Sequence, residues 1–382
     1  MADIKTHLRE LSVATAVGII KGKSGNSRDI EDLYEPSLFF NLAKKVVDND
    51  VVSASNISSL PSFSLELKQI IKNGIKLAEV ITNNSYFTIP DKPTIKWLGN
   101  DTQKDDPTDI VIDKYNFSLK EESFILENMG LYKLLNCYTG SNYSSGRHIF
   151  KDYAKEEYEK WFDCTWSEMM SYLSSRGGKW FYRSISKGKA GSISLSNDKI
   201  IFSYEGDNRP IVAILPKKST LSAFELNTDS KIREQLFARF INERLQYNEP
   251  YNAAKKKCAV VASNNLAKEL RKNLKYSDGL ARFLRIHDEE YYYAKTTSSG
   301  VEIFRVPSNK DYKNEISIDS IIGSVPDKQA NILTTIRNKR TNKTLVLRNE
   351  CRFSHGQFNG TPEAKMYYER GGSLEAIYQR IA

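Results

Sequence analysis

Residues 105–127 read DDPTDIVIDKYNFSLKEESFILE and constrain the fold more than any other stretch of the chain. Ile110, Val111 and Ile112 form an apolar run of strand length, as expected of a strand covered on both faces. A reversal at Asp113-Lys114 leads to a second strand, in which Phe117 and Leu119 point one way and Ser118 and Lys120 the other. Antiparallel pairing would bring Asp109 close to Lys120 at one end of the hairpin. A carboxylate and a lysine placed together at the end of a buried hairpin need a reason. Metal-dependent phosphodiester cleavage supplies one. A hard divalent cation takes oxygen ligands and retains water, and it acidifies an attacking water. A lysine beside it can orient that water or offset charge on the phosphate.

The spacing resembles the PD-(D/E)XK nuclease motif, over roughly residues 95–140. In that motif an Asp on one strand is followed by an acid-x-Lys on the next. The resemblance implies Asp109 as the metal-binding Asp and Lys120 as the motif lysine. Two departures stand out. Pro107 precedes Asp109 by two residues rather than one, and Ser118 holds the place usually taken by Glu or Asp. Some restriction endonucleases of this class also carry Ser there and draw the missing acid from the following helix. A helix is expected over 121–138, which makes Glu127 the first choice for that acid. Glu121 and Glu122 are alternatives, although both suit the N-terminal dipole of a helix. The structural alternative for the hairpin is a turn residue, Asp109, and a solvated edge residue, Lys120.

A second source of the acid lies near the start of the chain. Residues 4–21, IKTHLRELSVATAVGIIK, leave little polar face, so their helix should be largely buried. Its one acid, Glu10, must be paired or bound to metal. Folds of the PD-(D/E)XK class commonly begin with a helix that lends an acid to the site, and Glu10 fits that role. Pairing with Arg9 or Lys5 is the structural alternative. Helices are also expected near 38–48 and 64–81. In the second of these Glu79 lies opposite the apolar stripe and is no ligand. Residues 94–98 read as the first strand.

Lys+Arg 56 against Asp+Glu 47 gives a net charge of +9 and a pI near 9.1, which suits a polyanionic partner. The four cysteines lie far apart without a CxxC pair and at no zinc spacing to the four histidines, a pattern expected of reduced thiols in a cytoplasmic protein. No apolar run approaches a membrane span, and the N-terminus lacks the layout of a secretory signal. There is no P-loop or GxGxxG, and no Ser/His/Asp or Cys/His relay is visible.

The second half offers candidate DNA contacts. Arg147 lies in a polar loop, and Lys187 and Lys189 flank a glycine in a basic turn that a phosphate backbone could meet. Residues 230–245 form an amphipathic helix. The run Lys255-Lys-Lys257 precedes a helical region over about 265–287, and a hairpin spans 291–306. Residues 345–355 alternate as a strand with Arg348, Glu350 and Arg352 on its polar face. His355, Gln357 and Asn359 follow, and Arg337 and Arg340 form a basic turn before it. Those residue types read base edges, or else the strand face is simply laced by ion pairs.

These readings give a mixed α/β (α+β) protein, with a PD-(D/E)XK-like catalytic core over 1–145 and a larger α+β region over 146–382 for DNA recognition and dimerisation. The resemblance implies a type II restriction endonuclease: a homodimer cutting double-stranded DNA with Mg2+, partnered by a cognate DNA methyltransferase. A repair or phage-type structure-specific nuclease and a non-catalytic DNA-binding protein are the alternatives.

Overall fold

The structure, a computed structural model, describes residues 4–99, 107–120, 128–144, 146–183, 189–297, 300–369 and 372–382. It is a mixed α+β architecture built around three sheets. The first sheet has six strands in the order β1 (Ile95–Trp97), β2 (Ile110–Ile112), β3 (Tyr115–Lys120), β4 (Tyr291–Thr297), β5 (Gly300–Val306) and β6 (Gln379–Arg380). All neighbours pair antiparallel except β3 and β4, which run parallel with Phe117 opposite Tyr292 and Lys120 opposite Lys295.

The expected hairpin is present. Ile112 faces Tyr115 across a turn in which Asp113 takes a left-handed φ of 52°, while its side chain accepts the Thr94 N–H at 2.8 Å. Apolar residues at 110, 112, 117 and 119 are buried. At the outer edge of the sheet, the Asn49 side chain bonds both backbone groups of Trp97, at 2.8 and 2.6 Å. That side chain takes the place of a neighbouring strand and blunts an exposed edge.

Helix α1 (Ile4–Ile20) is buried along nearly its whole length, from His7 to Ile19 apart from Arg9, as expected of a helix with little polar face. It packs against α2 (Pro36–Val46) and α3 (Leu65–Asn83), and reaches β1. Ser64 caps α3 by accepting the Leu67 N–H. Gly74 lets α3 approach closely, because a Cβ there would fall 1.9 Å from Ser12 Oγ. Glu79 is exposed, as expected. This first core also includes Tyr292, Ala294 and Ile303, so a division at residue 145 leaves one sheet with strands on both sides of it. Phe117 sits at the junction, with ring centroids 5.3 Å from Phe87 and 5.5 Å from Tyr292. Phe117→Ala should therefore cost about 3–5 kcal/mol, read as a lower midpoint in urea denaturation; a loss under about 1 kcal/mol would contradict this packing.

The second core joins a five-stranded sheet and a four-stranded meander to long helices. The five-stranded sheet runs in the order Ile316–Ser324, Ala330–Asn338, Thr344–Arg352, Glu363–Tyr368 and Asn128–Gly130. Helix Glu249–Lys272 packs on the first two of these strands and on helix Lys155–Ser175. The meander comprises Lys179–Arg183, Ala190–Ser196, Lys199–Glu205 and Pro210–Pro216. A buried Arg305 on β5 ties the two large sheets together, bonding Glu290 at 2.6 Å and Glu315 at 2.9 Å.

Two expected helices are corrected. Within the expected 121–138 helix, Asn128–Gly130 is a strand on Glu363–Lys365 and a helix follows over Leu131–Thr139; residues 121–127 lie outside the described residues. The 265–287 helix begins much earlier, at Glu249. Asn248 accepts the Tyr251 N–H and Pro250 occupies the first turn, so Lys255–Lys257 lies inside the helix. It ends at Lys272, and Asp278–Phe283 is a separate short helix capped by Ser277. The 230–245 segment is helical with π turns at Arg233–Phe237 and Ile241–Leu245. Among the described residues no helix is long and apolar enough to cross a membrane.

Candidate functional site

Three elements of the first sheet and one helix converge beside the end of β3. The Asp109 backbone is fixed from both sides: its N–H donates to Phe117 O and its carbonyl accepts from Leu98 N, each at 2.8 Å. Its carboxylate then turns toward β3. Oδ2 accepts the Leu119 N–H at 2.6 Å and the Lys120 ammonium at 3.1 Å, with Ser118 Oγ at 3.5 Å. Lys120 remains substantially exposed at its tip, whereas Ser118 is buried. The hairpin thus pairs Asp109 with Lys120 as the spacing predicts, with the Ser118 hydroxyl beside them.

Glu10 reaches the same place from α1. Its residue is only 3 % exposed, and Oε2 accepts the Trp97 indole N–H at 2.7 Å. Burial, and next the negative charge of Asp109, push the Glu10 carboxyl up to about 7; the Trp97 hydrogen bond, Lys120 and Arg9 pull the other way. Lys5, offered by the sequence as a structural partner, pairs with Glu66 at 2.6 Å. Two carboxylates thus face one lysine in a site mostly closed to solvent.

Gly99 makes room for this arrangement. A Cβ at 99 would lie 1.8 Å from Glu10 Oε2 and 2.7 Å from Trp97 Nε1. Gly99→Ala must push the carboxylate off the indole, at a cost of about 1–3 kcal/mol. Altered tryptophan fluorescence together with a lower denaturation midpoint would report it, and an unchanged spectrum and midpoint would contradict it. Trp97 and Gly99 were not among the sequence candidates. Their only local signal is the strand-ending Trp-Leu-Gly ahead of the acidic loop. A shallow groove beside the site is lined by Arg9, Asn73, Lys120 and Thr296.

Of the two sources for the second acid, the structure brings Glu10 to Asp109. Glu127 lies outside the described residues, as do Glu121 and Glu122. Among the described residues, no group of three or more His, Cys, Asp or Glu comes together as a metal centre.

The candidate DNA contacts are placed on the other two sheets and their loops. Lys187 lies outside the described residues. Arg147 is turned inward, bonding Asp152 at 3.0 Å and Tyr153 Oη at 2.9 Å and lying over the Tyr143 ring. Lys189 pairs with Asp207. Arg337 bonds Asp319 and Asn342, each at 2.7 Å. Along the Thr344–Arg352 strand, Arg348 lies 3.5 Å from Glu369 and stacks over Tyr367, and Arg352 lies 3.7 Å from Glu350. That face is laced by ion pairs. Asn359 is buried and accepts from Arg233 Nε at 3.1 Å, so it clips the loop rather than presenting an amide to a base. Gln357 approaches Asn242 at 3.4 Å, while His355 and Arg340 are exposed.

Searches of protein-family models, of curated proteins and of solved structures each found no match to this chain.

Proposed function

We propose that the protein is a Mg2+-dependent DNA endonuclease whose active centre is Glu10, Asp109 and Lys120. The observation that carries this reading is the convergence of Glu10 from the first helix on the Asp109–Lys120 hairpin. Glu10 is about a hundred residues from Asp109 in sequence, so only the tertiary fold brings them together. Nothing in ordinary packing requires a second carboxylate there, since an ionised acid in a buried site is costly unless compensated.

The donor set fits Mg2+. That ion is bound through one or two carboxylates, keeps several waters, and takes its remaining oxygens from a phosphate. Glu10 and Asp109 would hold it, and it would supply a water of lowered pKa and a Lewis acid for the phosphate. Burial, and next the charge of Asp109, raise Glu10, and a bound cation would offset both.

The chain's own residues do the rest. Leu119 N–H and Lys120 hold the Asp109 carboxylate in one orientation. Trp97 does the same for Glu10, so the two acids are set before substrate arrives. Lys120 has a reach into solvent and three donor hydrogens, enough to orient the attacking water or balance charge on the phosphate oxygens.

Following the motif resemblance, we assign the substrate as double-stranded DNA cut at a short specific sequence, as in a type II restriction endonuclease with a methyltransferase partner. Cutting both strands calls for two such centres related by a two-fold axis, hence a homodimer. Incubation with plasmid and Mg2+, with chelator as control, tests the reading. Discrete fragments with common ends are expected. Nicks confined to flaps or damaged sites would instead make the enzyme structure-specific, and no cleavage of any DNA with Mg2+ or Mn2+ would refute it.

A further inference from the structure

A second pocket, in the other core and remote from the carboxylates, is built for an anion. It has a volume of about 130 Å3 and lies where helix Glu249–Lys272, the 326–329 turn and the end of the Thr344–Arg352 strand meet. Lys255, Lys328 and Arg352 line it, all half-buried, over a wall of Phe150 and Phe353. Neither lysine makes an ion pair or a side-chain hydrogen bond among the described residues, and Arg352 has only Glu350 at 3.7 Å. Glu350 is the one acid in the lining, so the pocket carries an excess of two positive charges.

Unpaired like charges that are partly withdrawn from water repel one another and lose hydration. Burial, and next the charge of Lys328, push the Lys255 ammonium down. The backbone adds its own cost. Asp327 and Lys328 are consecutive non-glycine residues with positive φ, 49° and 64°, a conformation that such residues rarely adopt and that clusters at ligand clamps. Opposite the lysines, Gln357 Oε1 is buried without a donor. The unpaired lysines, the strained turn and the unmet amide all line this space, which has room for a phosphate group.

We propose that Lys255, Lys328 and Arg352 form a binding site for a single phosphate group, carried by a free nucleotide or by a nucleic-acid strand, with the Gln357 amide taking a donor beside it. This site goes beyond the nuclease reading and does not depend on it. It also gives a physical reason for the basic run at 255–257, which on an ordinary solvated helix face would leave Lys255 exposed.

The test uses Asp109→Asn protein throughout, so that cleavage plays no part. Inorganic phosphate, adenosine 5′-monophosphate and a short single-stranded oligonucleotide are titrated at constant ionic strength, with chloride as the reference. Binding of at least one phosphate-bearing probe is expected, weakened about tenfold by Lys328→Ala and by Lys255→Met. Both variants should melt at or above the parent without phosphate, because each removes a like-charge contact. Sensitivity of all three probes to these variants would identify a general phosphate site, and sensitivity of the oligonucleotide alone would identify the strand as its source. If no phosphate-bearing probe binds better than chloride, or binding is unchanged in both variants, the proposal is wrong.

Discussion

Asp109→Asn and Lys120→Ala should each lower Mg2+-dependent cleavage of plasmid DNA by about 100- to 1,000-fold or more, while leaving the protein folded. Asparagine keeps one oxygen for the Leu119 N–H and the Lys120 ammonium, which share a single acceptor in the parent, but loses the charge that would hold a cation. Lys120→Ala removes a largely exposed head, so little packing is lost. The pair also divides by metal. Weakened binding at Asp109 should be partly recovered at higher Mg2+, whereas the Lys120 defect should not respond. Cleavage rates across a metal titration, with circular dichroism as a check on folding, provide the measurement. Two folded variants that both cut at the parent rate would remove the nuclease reading altogether.

Glu10→Gln should stabilise the protein at pH 8 and silence it at the same time. The Glu10 carboxyl stands near 7 in the folded chain against an ordinary 4.5, so the native state holds this proton more tightly than the unfolded state does. The resulting stability is complete below about pH 4.5 and is lost as pH rises through about 7. At pH 8 the ionised group costs on the order of 3 kcal/mol, and glutamine removes that cost while its carbonyl can still accept from Trp97. Urea denaturation at pH 5 and pH 8 should show the variant's advantage growing with pH. Added Mg2+ should raise the stability of the parent at pH 8 more than that of the variant, and metal binding should release protons. A stability difference that does not change between pH 5 and pH 8 would mean that Glu10 is not held at a raised value.

Much of the site could be read from local pattern. The alternation in 110–120 specified the hairpin, its turn and the Asp109–Lys120 approach, because antiparallel neighbours close in sequence leave little freedom of register. The small polar face of residues 4–20 made Glu10 conspicuous as the one acid on a buried helix. What could not be read was partnership at a distance. Glu10 meets Trp97 and the space above Gly99 only after α1 has packed against β1, and no spacing rule encodes that. The helix expected over 121–138 failed because Asn128–Gly130 pairs with residues over 230 positions later, so tertiary pairing outweighed local periodicity. The polar face of 345–355 had the right residue types for reading bases. The structure turns Arg348 to Glu369 and Tyr367 instead, and leaves Arg352 at the mouth of a pocket with Glu350 only at 3.7 Å.

The parallel pairing of β3 with β4 has a consequence during synthesis. Phe117 and Lys120 wait for Tyr292 and Lys295, more than 170 residues further along, and non-local contacts of this kind form late. A nascent chain that has emerged only to the end of the hairpin displays β3 as an open edge with Phe117 uncovered. On this topology, the six-stranded sheet that carries the Asp109–Lys120 hairpin is not complete until more than three quarters of the polypeptide has been made. The ordering of the chain then acts as a delay, and truncated products are left without the strand that flanks Lys120.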